Sequence, residues 1–170
     1  MNDPVTAPPT EGVPGAGGFR PLYAARVAVS GGPLAHGRAT GRARSSDGAL
    51  EFDLRMPAEL GGDAGGPNPE QLTAAAFAAS LHGELTLVAR QHLLDPAPIT
   101  VEATVAVGRD PSDGGYLLHT ELEVTWPGVA RETADRLLAR AIAHCPYAKM
   151  AGHGIPTTIT LAPDRRHEET

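Results

Sequence analysis

Apolar and small side chains dominate one long stretch of the chain, Asn68–Leu94, and this pattern predicts a helix. Asn68 can cap the free amides of the first helical turn, and Gln71 completes the spacing of a capping box. Pro69 suits the first helical position. Because apolar or small side chains occupy nearly every face, other elements must wrap around this helix. The pattern therefore predicts a buried central helix.

Alternating apolar and polar residues predict β-strands on both sides of this helix, and a second, amphipathic helix follows. The clearest strand is Ala49–Met56, in which apolar and charged side chains alternate. The predicted order βββ-α-ββ-α-β favours an α+β fold with antiparallel sheets packed on the buried helix. The other predicted strands are Tyr23–Ser30, Gly37–Arg44, Thr100–Val107, Tyr116–Trp126 and Ile155–Leu161, and the second helix is Val129–His144.

The composition fits one globular domain with a tail at each end. The chain has 170 residues, of which 41% are hydrophobic, and this suffices for a sizeable core. Residues 1–20 are rich in Pro, Gly and small side chains without hydrophobic periodicity, so we expect a disordered N-terminal tail. A single domain is expected over residues 21–162, followed by a charged C-terminal tail over residues 163–170.

Charge, hydropathy and cysteine content narrow the function. The net charge of −6 and the absence of a Lys/Arg run argue against a nucleic-acid partner. No stretch approaches the roughly 18–20 apolar residues of a membrane span, and the N-terminus lacks a signal-peptide pattern, so we expect a cytoplasmic protein. The single cysteine, Cys145, cannot form an internal disulfide. It is a packed thiol, an intermolecular partner or a reactive group.

Two separate motifs resemble those of the organic hydroperoxide resistance (Ohr-like) branch of the OsmC/Ohr superfamily. The resemblance spans roughly Tyr23–Leu161, and the predicted order of elements also matches that family. The motifs are Leu60-Gly61-Gly62 with Asn68-Pro69-Glu70-Gln71-Leu72, then Ala143-His144-Cys145-Pro146-Tyr147, and the upstream turn Ser46-Asp47-Gly48 agrees as well.

This resemblance implies an intertwined homodimer with two active sites at its interface. Members of the family are thiol peroxidases that reduce lipid-like and other organic hydroperoxides to alcohols in oxidative-stress defence. They hold no bound cofactor and take electrons from an external dithiol of the lipoyl type, such as a lipoylated protein. A thiolate attacks the distal peroxide oxygen, and a second cysteine converts the resulting sulfenic acid to a disulfide.

Carried over by motif, Glu70 is the carboxylate that orients an arginine, and Cys145 is the resolving cysteine. The arginine lowers the pKa of the attacking thiol and holds the peroxide. Arg38 is the best match for this arginine, although counting back from the upstream turn lands on Ala39. Arg42 is the alternative.

The attacking cysteine of the family pattern is replaced in this chain. Where the family reads Ala-Ala-Cys, this chain reads Ala78-Ala79-Ser80. A serine hydroxyl is far less acidic than a thiol and is a poor nucleophile toward peroxide oxygen, so we expect the chain as given to be inactive.

Two interpretations of Ser80 stay open. In the first, a peroxidase has had one residue replaced, and the retained Cys145, Glu70 and arginine favour it. In the second, the chain is a diverged, non-catalytic protein that binds acyl or hydroperoxide ligands at the dimer interface. Glu84 favours the second, because it lies one turn from Ser80 where the family pattern has a small residue.

Both interpretations predict an apolar pocket near Ser80, lined by Phe77, Leu81, Trp126 and Tyr147. Without the resemblance, the site residues have ordinary structural explanations, such as close helix packing, a first-turn charge, a buried thiol or a solvated loop charge. Ser80 also lacks the flanking glycines of a nucleophile elbow. No metal site is expected, because no two of the candidate histidines have the same-face helical spacing of a zinc motif. These histidines are His82, His92, His119, His144 and His153.

Overall fold

The chain folds into two antiparallel β-sheets and three α-helices in a computed structural model that describes residues 20–31, 40–154, 157 and 159–161. Ala25–His153 forms one compact unit, which contains all of these helices and strands. The second unit takes in the two ends of the chain, and its described residues lie in neither helix nor strand. The predicted α+β class is confirmed. Apart from Arg20, the predicted tails lie outside the described residues.

The first sheet has three antiparallel strands, β1 (Val27–Ser30), β2 (Gly41–Ser45) and β3 (Glu51–Leu54), in the order β1-β2-β3. β1 begins at Val27, four residues later than predicted, because Val27 pairs with Ser45, the last residue of β2. The predicted turn after β2 forms, and its Asp47 carboxylate accepts hydrogen bonds from the Ser45 hydroxyl and the Ala49 amide. Residues 37–39 of the predicted second strand lie outside the described residues.

The loop between β3 and the first α-helix turns back onto β3. It contains a short 3-10 helix, Ala58–Leu60, and its Ala64 amide donates to the carbonyl of Met56. Gly62 passes so close to this carbonyl that an added Cβ would lie 2.1 Å from the oxygen. Glycine is therefore required at position 62, because the obstacle is backbone.

The predicted long helix is present as α1, Pro69–Gln91, and it begins with the predicted capping box. The Asn68 side chain accepts from the Gln71 amide at 2.8 Å, and the Gln71 side chain accepts from the Asn68 amide at 3.1 Å. The helix ends three residues earlier than predicted, and Leu93 beyond it has a φ of 58°.

The second sheet is a long hairpin of β4, Thr100–Arg109, and β5, Tyr116–Thr125. The two strands pair along their whole length, with Thr100 opposite Thr125 and Arg109 opposite Tyr116. Both predicted strands are therefore present, and β4 packs against α1. Trp126, which was predicted to end the strand, lies just beyond β5 and is buried.

Two helices follow the hairpin, and the second of them was not predicted. α2 spans Arg131–His144, and α3 spans Pro146–His153. Both pack on α1. The predicted last strand is not seen where the chain is described: Thr157 and residues 159–161 lie in neither helix nor strand. Residues 155, 156 and 158 lie outside the described part.

The main core lies between α1, α2, α3 and one face of the β4-β5 hairpin. Leu85, Leu137 and Cys145 are its largest fully buried side chains. The β1-β3 sheet makes no substantial contact with these helices or with the hairpin. The members of the core cluster are Leu81, Leu85, Val88, Ala89, Ile99, Trp126, Leu137, Ala141 and Cys145.

Within the chain only one side of α1 is buried, and burial on nearly every face stays a prediction. Leu72 and Leu87 are 39% and 54% exposed. The reason is that β4, α2 and α3 cover one side of the helix, and the β1-β3 sheet does not cover the other. The buried side chains of α1 are Phe77, Leu81, Leu85, Val88 and Ala89.

By length and composition alone, α1 is also apolar enough to cross a membrane, and it is the one helix of the described chain that passes this test. This finding corrects the expectation, drawn from the sequence, that no stretch is apolar enough to span a membrane. Core helices of water-soluble proteins pass the same test, and the packing of α1 on β4, α2 and α3 favours that explanation.

Candidate functional site

Ser80 and Cys145 are in contact although 65 residues separate them in the sequence. The Ser80 Oγ and the Cys145 Sγ lie 3.4 Å apart, within hydrogen-bonding distance for sulfur. Ser80 is half-buried on α1, and Cys145 is only 1% exposed in the junction between α2 and α3. The two positions that the resemblance singled out as attacking and resolving residues are therefore neighbours in space.

Backbone hydrogen bonds fix the junction that carries Cys145. Its amide donates to the carbonyl of Ala141 at 2.9 Å, which ends α2. Its carbonyl accepts from the amide of Lys149 at 3.1 Å, which begins α3. Pro146 occupies the first position of α3, where its missing N–H costs nothing. The sulfur is thus held between two helices, each of which packs on α1.

An aromatic pair lies beside this contact. The rings of Phe77 and Tyr147 meet edge to face, with centroids 5.3 Å apart and an interplanar angle of 73°. Phe77 lies three residues before Ser80 on α1, and Tyr147 lies two residues after Cys145. The pair therefore joins α1 to the first turn of α3, next to the Ser80–Cys145 contact.

Leu81 and Trp126, the other two predicted pocket residues, belong to the same buried cluster as Cys145. Leu81 is 5% exposed and Trp126 is 8% exposed. The Trp126 Nε1 donor is buried without a hydrogen-bond partner in the described part of the chain. Tyr147 packs against this cluster, and Phe77 reaches it through its contact with the Tyr147 ring. Of the four predicted pocket residues, all but Tyr147 are buried within the single chain.

Glu70 lies at the second position of α1, far from Ser80. Their separation of ten positions corresponds to a rise of about 15 Å along the helix axis. Glu70 is half-buried in a groove of about 480 Å³ between the start of α1 and β4, together with Glu59, Leu60 and Ala74. The single chain therefore does not bring Glu70 to the Ser80–Cys145 contact.

Of the two candidate arginines, Arg38 lies outside the described residues, and Arg42 is engaged elsewhere. Arg42 is exposed on β2, where its guanidinium donates to Glu51 at 2.9 Å and to Asp53 at 3.2 Å. Hydrogen bonds from Arg42 and Arg44 hold the pKa of the Glu51 carboxyl below its usual range. Arg42 is therefore the weaker candidate for an arginine that must be free to hold a peroxide.

Glu84 lies on α1 one turn after Ser80, and it is half-buried. It makes no hydrogen bond or ion pair with the described residues that would neutralise its charge. Four residues of helix correspond to about 6 Å of rise, so the carboxylate is close enough to influence a group at position 80.

A groove of about 610 Å³ runs between β5 and α2, and two smaller grooves, of about 480 and 220 Å³, lie elsewhere on the described chain. Its floor is mainly apolar, with Leu122, Val124, Trp126 and Leu138 among its lining residues. Ser80 and Cys145 line none of these three grooves.

Among the described residues, no group of three or more His, Cys, Asp and Glu side chains could hold a metal ion.

The sequence pattern did not predict α3, which positions both Cys145 and Tyr147. Its signals were Pro146 at the first helical position and Gly154 just beyond the end, where φ is 74°.

The chain is similar in sequence to known proteins. Residues 61–160 match the family described as OsmC-like protein. The chain is 38% identical over 143 residues to the organic hydroperoxide resistance protein of Xanthomonas axonopodis pv. citri, covering 83% of this chain and 95% of that one. It is 34% identical over 140 residues to the organic hydroperoxide resistance protein OhrB of Bacillus subtilis, covering 82% of this chain and 98% of that one.

Solved structures give the same result. The crystal structure of OhrB from Bacillus subtilis superposes with a TM-score of 0.65 at 37% identity, covering 79% of this chain and 93% of that one. An organic hydroperoxide resistance protein from Legionella pneumophila superposes with a TM-score of 0.70 at 30% identity, with the same two coverages of 79% and 93%.

Proposed function

Because this chain belongs to the OsmC-like protein family, with organic hydroperoxide resistance proteins among its relatives, we propose that it has the scaffold of a thiol peroxidase for organic hydroperoxides, arrested at Ser80. The observation that carries this proposal is the 3.4 Å contact between the Ser80 Oγ and the Cys145 Sγ. A disulfide needs two sulfurs about 2.05 Å apart, so a cysteine at position 80 would need only a short movement to bond to Cys145.

The proposed reaction needs sulfur at both positions. A thiolate at position 80 attacks the distal oxygen of the hydroperoxide, the O–O bond breaks, and the alcohol leaves with a proton while the sulfur becomes a sulfenic acid. The Cys145 thiol then displaces water from the sulfenic acid and forms the disulfide. An external dithiol reduces this disulfide to two thiols and is itself oxidised to a disulfide.

Ser80 blocks the first of these steps. The serine hydroxyl stays protonated at neutral pH, and its oxygen is a poor nucleophile toward peroxide oxygen. Cys145 cannot take over the attack from the closed structure, because its sulfur is almost entirely buried. The chain as given should therefore consume no hydroperoxide by this route.

We further propose an intertwined homodimer, since two surfaces of the single chain lack a partner. The β1-β3 sheet makes no substantial contact with the helices, and its Val27 and Val29 are 47% and 56% exposed. The outward side of α1 presents small residues at a spacing of four, Ala75, Ala79 and Gly83, which allow another helix to approach closely.

The dimer also offers a way to complete the site. Glu70 is about 15 Å from position 80 along its own helix, so it can reach a site at position 80 only from a second copy of the chain. We propose that Glu70 orients Arg38 there and that Arg38 holds the peroxide, as the family resemblance implies. Phe77, Leu81, Trp126 and Tyr147 would form the apolar wall for the organic group.

The reductant proposed is a lipoyl-type dithiol, free or on a lipoylated protein, and no bound cofactor is needed. A dithiol suits the reaction because its second sulfur closes a ring and releases the mixed disulfide. We expect the protein to act in the cytoplasm, where reducing conditions keep a free thiol such as Cys145 reduced.

A second candidate function is binding without turnover, and Glu84 favours it. An unpaired, half-buried carboxylate one turn from position 80 would oppose a thiolate there by like-charge repulsion. In that case the chain would bind acyl or hydroperoxide ligands in the same interface pocket and release them unchanged.

The deciding experiment compares the chain as given with its Ser80→Cys variant in consuming cumene hydroperoxide and a fatty-acid hydroperoxide, with dihydrolipoamide as reductant. The proposal expects rapid consumption by the variant and none by the parent. Ser80→Ala is the matched control, because it changes the same side chain without supplying sulfur.

Adding Cys145→Ser to the Ser80→Cys variant tests the second cysteine. Without added dithiol, this double variant should consume about one equivalent of hydroperoxide per chain and then stop at the sulfenic acid, whereas the Ser80→Cys variant should stop at the disulfide. With dihydrolipoamide, the double variant should turn over more slowly than Ser80→Cys, because the external dithiol has to react with the sulfenic acid directly. An inert Ser80→Cys variant that still binds a fatty acid would support the binding function instead.

A further inference from the structure

α3 directly follows Cys145, and its Tyr147 and Ala148 pack against the buried cluster that contains this residue, but the helix is itself weakly anchored. The helix has eight residues, and none of them is buried. It packs on α1 and α2, and Tyr147 is half-buried in its first turn. The edge contact between Tyr147 and Phe77 is the one aromatic contact that α3 makes within the described chain. A short helix with so little burial opens more readily than the core on which it lies.

The position of Cys145 sets two conflicting requirements, if the proposed function holds. To resolve a sulfenic acid at position 80, its sulfur has to stay against that residue, where it now lies at 3.4 Å. To be reduced again, the disulfide has to be reached by an external dithiol, and the sulfur is only 1% exposed. One fixed structure cannot meet both requirements, so part of the cover has to move.

We propose that Tyr147 is a positioning residue whose ring, packed on Phe77, holds α3 closed over Cys145, and that α3 opens to admit the external dithiol. In the closed state the first turn of α3 keeps the sulfur beside position 80. In the open state the aromatic contact is broken, and the sulfur is exposed. The β4-β5 hairpin and α2 need not move, because the core they form with α1 does not depend on α3 alone.

The test measures alkylation of Cys145 by iodoacetamide in the folded, full-length chain, followed by mass spectrometry. Since Cys145 is the single cysteine, each label reports on this sulfur alone. Tyr147→Leu removes the ring and should raise the labelling rate about tenfold, as expected when an aromatic edge contact and its burial are lost. Tyr147→Phe keeps the ring and should label within about twofold of the parent rate.

Met150→Ala is the matched control, because it removes apolar surface from a half-buried position of the same helix and leaves the ring pair intact. It should label at nearly the parent rate. The proposal is overturned if Tyr147→Leu labels no faster than the parent, or if Met150→Ala labels as fast as Tyr147→Leu. Circular dichroism of each variant shows whether it is folded.

A measurement on the unaltered chain keeps the proposal testable if Tyr147→Leu does not fold. The opening equilibrium constant measured by hydrogen exchange of the α3 amides should equal the one obtained from the rate of Cys145 labelling. The α2 amides should open more rarely. If the labelling rate instead gives the same opening equilibrium constant as the α2 amides, the sulfur is exposed by global unfolding. That result would contradict a separate opening of α3.

The role of Tyr147 in the reaction is tested separately, in the Ser80→Cys variant. Adding Tyr147→Leu should slow disulfide formation relative to sulfenic-acid formation, so that dimedone traps a larger share of the sulfenic acid formed, whatever the change does to hydroperoxide binding. Tyr147→Phe should restore the parent behaviour. If Ser80→Cys forms no sulfenic acid at all, the proposed function fails, while the labelling results still decide whether Tyr147 holds α3 closed.

Discussion

Leu85 and Leu137 have almost no exposed surface, whereas Val27 and Val29 on β1 are about half-exposed. The first pair belongs to the region formed by the helices and the β4-β5 hairpin, and the second pair belongs to the β1-β3 sheet. In the helical region, side chains from four elements meet in one cluster. The β1-β3 sheet is held by strand pairing and by exposed ion pairs such as Arg42–Glu51.

This difference shows that burial within one chain is concentrated in the helical region, although Ala43, Ser45 and Leu54 of the β1-β3 sheet are also buried. Exposed ion pairs contribute little to stability, and three short strands need a covered apolar face to be stable. The helical region has its own core, so its stability should depend on packing. The β1-β3 sheet should depend on what covers it, and a second copy of the chain is the partner proposed above.

The largest expected effect is on the helical core. Leu85→Ala should lower the free energy of unfolding by about 2–5 kcal/mol, because Leu85 is fully buried and the cavity is only partly refilled. Val29→Ala should cost much less in an isolated chain. Urea denaturation of both variants, followed by circular dichroism, measures the difference. Comparable losses at a concentration where the protein is dimeric would mean that Val29 is covered in the dimer.

A smaller effect is expected from filling the small-residue face of α1. An added Cβ at Gly83 meets nothing within 4 Å in the single chain, so Gly83→Leu should not disturb the monomer fold. If another α1 packs there, the larger side chain should weaken the dimer by about 1–3 kcal/mol through overpacking.

Light scattering after size-exclusion chromatography gives the oligomeric state of this variant over a range of concentrations. Gly152→Leu is the control, because Gly152 is also a helical glycine with open space around it. An unchanged dimer in Gly83→Leu would show that this face of α1 is not the interface.

The capping box at the start of α1 should contribute about 1 kcal/mol. Asn68→Ala leaves the Gln71 amide without its partner and should lower the melting temperature accordingly. Asn68→Ser is the conservative control, since serine also caps helices well. Equal melting temperatures for the alanine and serine variants would show that the cap contributes nothing to global stability.

The smallest effect is expected in the β1-β3 sheet, and it depends on pH. Hydrogen bonds from Arg42 and Arg44 lower the pKa of Glu51 in the folded protein. The resulting stabilisation is therefore fully present above the unfolded pKa of about 4.3 and is lost as pH falls through the folded pKa. Glu51→Gln should remove this part of the acid sensitivity.

The measurement is the urea midpoint between pH 7 and pH 3. The parent should lose slightly more stability over this range than Glu51→Gln does, because the ion pairs are exposed and screened by solvent. Asp63→Gln is a suitable comparison, since Asp63 is an exposed acid outside the ion pairs of this sheet. If Glu51→Gln and the parent show parallel midpoints, the ion pairs do not stabilise the sheet.

Most of the elements could be predicted from sequence, because their signals are local. The capping box of Asn68 and Gln71 located the start of α1, alternation located four of the five described strands, and the bounding turns located β2. Burial of α1 on nearly every face stays a prediction, because an apolar helix surface shows only that something must cover it and not whether the cover belongs to the same chain. α3 was missed because its eight residues form too short a pattern, and Pro146 was assigned to a motif instead of a helix start.

The candidate site was predictable only in part. The contact between Ser80 and Cys145 joins residues that are distant in sequence, and the family resemblance supplied it, since no periodicity could. The same resemblance named Phe77 and Tyr147 but not their edge contact, which depends on how α3 lies on α1. The place of Glu70 in the site stays a prediction, because it concerns a second copy of the chain.

Trp126 gives the helical region a spectroscopic signal of its own. It is the single tryptophan of the chain, its indole is buried among the residues that surround Cys145, and its Nε1 has no hydrogen-bond partner in the described part of the chain. Such an indole should fluoresce at short wavelength and shift to longer wavelength when water enters. Since residues 27–54 hold neither tryptophan nor cysteine, fluorescence and thiol labelling would follow the helical region without interference from the β1-β3 sheet.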